Sequence, residues 1–285
     1  MGMLSNVIDF ARDTKRIAAK KAGPGAGRAS ILSGFLRLKA KRLMNGEDKT
    51  AWVLDYRVDY LDLENLEYLY REIFIARAYE MSFDTPNPVI IDCGSNIGMS
   101  ILFFKNLFPG ARITGFEPHP LVFAVLNRNI EQNGLENATV HQKALSDTAG
   151  SLDFYINQDD PGSLNMGLYA RGDNVKHIAV DTELLSDHIT GTVDLLKLDI
   201  EGAEESVVRD LFNSGKLANV RRMICEYHHH IDENVDGLSR MLSMLEAAGF
   251  GYQISAYCEH PVALGKYQDI MIYAYQEGTV EHVDS

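Results

Sequence analysis

The chain has 285 residues, 46% of them hydrophobic and 24% charged, an ordinary globular composition long enough for one large domain plus an extension. Its 27 Lys and Arg against 40 Asp and Glu give a net charge of −13. Residues 1–50 carry 11 basic and 4 acidic side chains, a net of +7, which leaves −20 on the remainder. A body this acidic speaks against a nucleic-acid groove, which needs clustered cations, and three distant cysteines, Cys93, Cys225 and Cys258, speak against a zinc ribbon and suit a reducing compartment.

No apolar run reaches the ~18 residues of a membrane span, and Asp9, Arg12 and Asp13 interrupt any signal-peptide core. The expectation is a cytoplasmic protein. Residues 3–21 and 29–45 read as helices around a flexible break, Ala22 to Gly27. This basic extension, residues 1–60, suits surface packing or homo-oligomer formation, and its basic amphipathic character also suits peripheral contact of residues 1–50 with an anionic membrane. Residues 61–285 then form the main domain.

Residues 62–81 have apolar spacing near 3.6 and read as one long helix, stopped by Pro86 and Pro88. Beyond them the pattern alternates. Strands are expected at 89–93, 112–116, 139–144, 193–198 and 223–227. Helices are expected at 99–107, 121–133, 204–214 and 235–248, with a polar insertion after residue 144 and two closing strands at 249–256 and 270–275. Strands alternating with helices predict an α/β fold: a mainly parallel sheet with helices on both faces. Such a sheet binds ligands at the carboxyl ends of its strands.

The first of these strands ends in Asp92-Cys93-Gly94-Ser95-Asn96-Ile97-Gly98, where glycines let the backbone approach a ligand and a helix start presents its N–H groups. The second ends in Glu117-Pro118. Glu117 lies 19 residues after Gly98, the separation at which an acid reaches a ribose diol. NAD wants glycine where Asn96 stands, and Asp92 would repel its phosphates. S-adenosylmethionine has no phosphate and carries an ammonium and a sulfonium, so an acidic pocket suits it. Asp92, Gly94, Ser95, Asn96 and Gly98 are expected around the methionine end, Glu117 and Pro118 at the ribose, and Ser146 or Asp147 near the adenine.

These residues resemble the FkbM family of S-adenosylmethionine-dependent methyltransferases. The matching stretches are VIIDCGSNIGMS (89–100), GFEPHP (115–120), NG (133–134), KALSD (143–147), LLKLDIEGAEESV (195–207) and MICEYHH (223–229), within roughly residues 87–275. The resemblance implies a Rossmann-like sheet of seven strands, the last antiparallel. It also implies methyl transfer to a hydroxyl of a sugar, glycan or polyketide-type small molecule, and the acidic body speaks for no nucleic-acid partner.

Removing a hydroxyl proton needs a base or a metal. The candidates are Asp199 and Glu201 after the fourth strand, and Glu226 and His228 at the end of the fifth. Glu204 reads as a cap on the following helix. Carboxylates at neighbouring strand ends, Asp199 and Glu226, suit a hard ion such as Mg²⁺. A related group of macrolide-sugar O-methyltransferases looks similar, but this chain has Glu226-Tyr227-His228 where they carry paired aspartates. His119, Ser163 and Asn165 are candidate acceptor contacts. Two competing classes remain: an N-methyltransferase, against which the absence of an N/D-P-P-Y/F motif stands, and a non-catalytic scaffold that binds S-adenosylmethionine.

Overall fold

The computed structural model describes residues 3–19, 25–44, 48–157, 162–164, 166–170, 174–232, 237–256, 265–276 and 278; the expected contact Asn165 and Cys258 lie outside them. Two helices open the chain, α1 (Met3–Ala19) and α2 (Arg28–Met44), followed by a hairpin of β1 (Thr50–Val53) and β2 (Tyr56–Asp59). Helix α3 (Leu63–Leu69) starts at Asp62, whose carboxylate accepts the Asn65 N–H. It runs directly into a π-helical turn, Tyr70–Ala76, and Arg77 then ends it in the left-handed conformation. The expected helix over 62–81 is therefore cut short by a left-handed cap and not by the prolines.

The main sheet contains β3 (Val89–Cys93), β4 (Arg112–Phe116), β5 (Ala138–His141), β9 (Leu195–Leu198), β10 (Arg222–His229), β11 (Phe250–Ala256) and β12 (Gln268–Gln276). Its seven strands lie in the order β11-β12-β10-β9-β3-β4-β5. All are parallel except β12, which runs antiparallel to β10 and β11. The expected α/β fold and antiparallel last strand are both present. Strand order reverses between β3 and β9, which opens a crevice at their carboxyl ends.

The expected strand over 139–144 is two strands. The polar insertion folds as a second sheet of β6 (Ala144–Ser146), β8 (Val175–Leu184) and β7 (Gly150–Asn157), in that order. Neither this sheet nor the β1–β2 hairpin was anticipated, because their burial patterns are too irregular to show the two-residue period.

Alternation along the central strands divides the core. Ile90, Leu195 and Ile224 face one side, with α4 (Met99–Leu107) and α5 (Pro120–Gln132); Ile91, Leu196 and Cys225 face the other, with α6 (Glu204–Asn213) and α7 (Leu238–Ala247). Ile17, Ile31, Phe35 and Leu38 of the first two helices belong to the same buried cluster as Ile90 and Leu195. Polar contacts bind them further. Arg71 Nε donates to Asp13 Oδ2 at 2.6 Å, Lys39 Nζ to Glu67 Oε2 at 2.6 Å, and the Tyr70 hydroxyl to the Ile31 carbonyl at 2.7 Å. Gly34 is what lets α2 approach so closely, since an added Cβ would overlap the Tyr70 hydroxyl. Among the described residues no helix is long and apolar enough to cross a membrane.

Phe35 is 1% exposed. Phe35→Ala should destabilise the whole chain by about 3–5 kcal/mol in urea titration, as a central core truncation does. A loosely docked α2 would instead leave the unfolding midpoint unchanged.

Candidate functional site

A cavity of about 500 Å³ opens at the carboxyl ends of β3, β4, β9 and β10 and is closed over by α3, its π-helical turn and the second sheet. Its floor is set where β3 and β9 meet. Gly94 has φ +81°, and an added Cβ there would overlap the Asp199 carbonyl oxygen, so only glycine lets the two strand ends touch. Asn96 is also left-handed, with φ 46°, and its side-chain oxygen accepts the Ile97 N–H at 2.7 Å. Asparagine suits that conformation and supplies the local hydrogen bond.

At this floor lies a charge cluster. Lys197, 2% exposed, has its Nζ 3.2 Å from Asp92 Oδ1 and 3.4 Å from Asp199 Oδ2, and donates to the Gly94 carbonyl at 2.8 Å. Burial alone would lower its pKa, but the two aspartates raise it above the usual lysine value. Asp92 also accepts the Ser100 hydroxyl at 2.6 Å and is 0% exposed. It therefore does not line the cavity as expected. Asp92 is the counter-ion of Lys197, which itself borders the cavity, because a buried cation demands a partner.

Glu117 does reach the cavity. Its carboxylate accepts the backbone N–H of Asn96 at 3.1 Å and of His119 at 2.8 Å, and burial pushes its pKa up to about 7 against those two donors. Gly94, Ser95, Asn96, Pro118 and Ser163 line the same volume. Several expected contacts do not. Gly98 is the N-cap of α4, and the ring nitrogen of His119 accepts the Leu121 and Val122 N–H groups, capping α5. Ser146 and Asp147 lie away from the cavity, with Asp147 paired to Arg209 at 2.7 Å; β5 ends at His141, so the neighbouring segment Lys143–Leu145 takes the wall instead.

The other half of the cavity holds Asp199, Glu201, Glu226 and His228, as expected from the strand ends. Asp199 accepts the Tyr79 hydroxyl at 3.1 Å. Glu204, 1% exposed, is more than a helix cap. One of its oxygens accepts the Ile200 and Gly202 N–H groups at 3.3 and 3.1 Å and lies 2.8 Å from His228 Nδ1. Burial alone would lower the His228 pKa, but Glu204, Glu201 and Asp199 raise it to about 10. Burial, with Asp199 close by, also raises Glu226 and Glu72.

Residues 92–252 match the family described as the methyltransferase FkbM domain. The chain belongs to the FkbM family of methyltransferases. It is 31% identical over 169 residues to Methyltransferase 1 of Beauveria bassiana, spanning 51% of this chain and 67% of that one. It is 31% identical over 187 residues to methyltransferase sdnD of Sordaria araneosa, spanning 54% and 72%. It is 29% identical over 230 residues to the 31-O-demethyl-FK506 methyltransferase FkbM of Streptomyces tacrolimicus, spanning 68% and 85%.

Reading this FkbM methyltransferase from its sequence missed Lys197, Glu72, Tyr79 and the pairing role of Glu204. Lys197 was visible as the one charge inside Leu195-Leu196-Lys197-Leu198, since a lysine in a buried strand needs a local counter-ion. Glu72 gave no such signal, because its direction depends on the π-helical turn.

Four cavity groups hold their protons more tightly folded than unfolded: Glu72, Glu117, Glu226 and His228. The stability they contribute is present at low pH and lost as pH rises, through about 7 for Glu117 and about 10 for His228. The ligand-free protein should melt several degrees lower at about pH 9 than at about pH 6 in a calorimetric scan. A flat or rising melting temperature over that range would contradict these shifts.

Proposed function

We propose that this chain transfers the methyl group of S-adenosylmethionine to a hydroxyl oxygen of a sugar, glycan or polyketide-type small molecule. One observation carries the reading: a single cavity joins the Gly94–Asn96 turn and Glu117 on one side to Asp199, Glu201, Glu226 and His228 on the other. The relative from Streptomyces tacrolimicus supports the choice of oxygen, since its name describes methylation at an O-demethyl position.

The residues present fit the donor. Glu117, facing the cavity from the end of β4, would accept hydrogen bonds from the ribose hydroxyls. Gly94, Ser95, Asn96 and Asp199 would surround the methionine end, where carboxylates favour its ammonium and sulfonium. Pro118 and Leu145 supply apolar walls for the adenine. When bound, the donor supplies a methyl carbon attached to a sulfonium leaving group.

The chain's own task is to hold an acceptor oxygen in line with that carbon and take away its proton. Glu226 is the group we assign to the proton. His228 is a poor base near neutral pH, because Glu204, Glu201 and Asp199 hold it as the imidazolium. Burial first, and like charge from Asp199 and Glu72 next, push the Glu226 pKa up to about 9, so it can take the proton only where a cation entering the cavity relieves the like charge. Glu72, Tyr68 and Asn65 of the α3 segment, with Ser163, border the space left for the acceptor.

Calorimetric titration with S-adenosylmethionine and its demethylated product tests the donor site. Glu117→Ala should weaken binding about tenfold or more, a loss of about 1.4 kcal/mol. In the native chain, affinity should fall as pH drops below about 7, where Glu117 takes up a proton. Unchanged affinity in Glu117→Ala would sink the ribose assignment. Glu226→Gln should keep donor affinity yet slow transfer to a hydroxylated acceptor by about 100-fold or more, measured with a labelled methyl group.

A further inference from the structure

The acceptor side of the cavity is crowded with carboxyl groups. Asp199, Glu201, Glu226 and Glu72 all border it, while Lys197 is already engaged by Asp92 and the Gly94 carbonyl.

His228 adds an observation of a different kind. It is 5% exposed, and Glu204 holds its Nδ1 at 2.8 Å. Glu204 Oε1 also accepts two backbone N–H groups, so this carboxylate oxygen acts as an acceptor and fixes Nδ1 as the donor. That leaves Nε2 directed into the cavity. Its acidic neighbours are Glu201 Oε2 at 3.4 Å and Asp199 Oδ1 at 3.9 Å, both longer than ordinary hydrogen bonds. One ligand atom from each of the three residues lies within 4.8 Å of the others. Bonds of about 2.1 Å to a shared ion place ligand atoms at most about 4.2 Å apart, a limit that the 3.4 and 3.9 Å separations from His228 Nε2 meet. Glu201 also sits at φ 54°, a costly conformation for a residue with a side chain.

We propose that Asp199, Glu201 and His228 form a three-residue site for a divalent transition-metal ion, which would displace the proton from His228 Nε2 and take that atom as its nitrogen ligand, with Glu204 as the partner that orients the ring. The inference rests on reading this cavity as the methyl-transfer site. It differs from the oxygen-only pair Asp199 and Glu226 expected from the sequence. An imidazole in the set favours Mn²⁺, Fe²⁺ or Zn²⁺ over Mg²⁺, which keeps to oxygen and water. A carboxylate behind a ligating histidine is the usual supporting arrangement. Here the three residues would hold a Lewis acid beside the acceptor oxygen, lowering its pKa. Glu226 stays free to receive the proton as the O–H bond breaks. The new C–O bond forms as the S–CH₃ bond breaks, with its electron pair going to sulfur.

The test uses the full chain stripped of metal, without donor, titrated with Mn²⁺ while the free-ion electron paramagnetic resonance signal is followed. One ion should bind per chain. His228→Ala and Glu201→Gln should each weaken binding about tenfold or more, and Glu204→Gln by about tenfold to a hundredfold. Asp269→Asn and Glu226→Gln should leave it unchanged. If His228→Ala fails to fold, as judged by circular dichroism, His228→Asn and Glu201→Gln carry the test. No saturable binding up to about 1 mM Mn²⁺ would overturn the site. So would binding that survives loss of His228, or that depends on Glu226 and Asp269 instead of Glu201, since those two and His228 form a neighbouring group of possible ligands. S-adenosylmethionine binding is measured on the same samples. Donor binding without Mn²⁺ binding overturns the metal site alone; Mn²⁺ binding without donor binding under any condition supports the site and overturns the donor reading.

Discussion

The ion cluster of Lys197 with Asp92 and Asp199 holds the active half of the molecule together. It sits where strand order reverses and adds a charge pairing between β3 and β9 to their backbone ladder. A buried lysine without counter-ions costs several kcal/mol, whereas a well-paired one locks its neighbours in place. The donated bond to the Gly94 carbonyl extends that lock to the glycine turn above. The cavity floor is therefore held by charge pairing and by the close contact that Gly94 alone permits.

Around that floor the cavity draws its walls from parts of the chain far apart in sequence. Glu117 comes from β4, Glu226 and His228 from β10, Ser163 from the insertion, and Glu72 and Tyr79 from the segment before β3. The packed N-terminal helices bear directly on this. Asp13 and the Ile31 carbonyl grip Arg71 and Tyr70, the residues that begin the π-helical turn carrying Glu72. The basic extension is thus coupled to the cavity wall that carries Glu72.

Legibility from sequence followed the range of the interaction. The α/β order, the seven strands and the residues at their carboxyl ends were readable because periodicity and glycine punctuation are local. Glu117, Asp199, Glu201, Glu226 and His228 were placed at the cavity from strand ends alone. The misplacements of Asp92, His119, Ser146 and Asp147 share one cause. Each lies at or just past a strand end, yet its side chain is engaged elsewhere: Asp92 by a lysine on the next strand, His119 by a helix start, Asp147 by Arg209 on α6, and Ser146 by Asp147. Spacing tells which end of the sheet a residue occupies, not which neighbour claims its side chain.

What the amino-acid sequence determined by itself was the fold class, the FkbM resemblance and the two clusters of acids that make the cavity negative. Those follow from patterns within about twenty residues. Only the tertiary structure decided that Lys197 neutralises Asp92, that Glu204 orients His228, that the insertion forms a sheet over the cavity, and that α2 belongs to the core. Each of these is a meeting between residues distant along the chain or set by an irregular turn. Such meetings depend on register, crossover and close backbone approach, which no local period encodes.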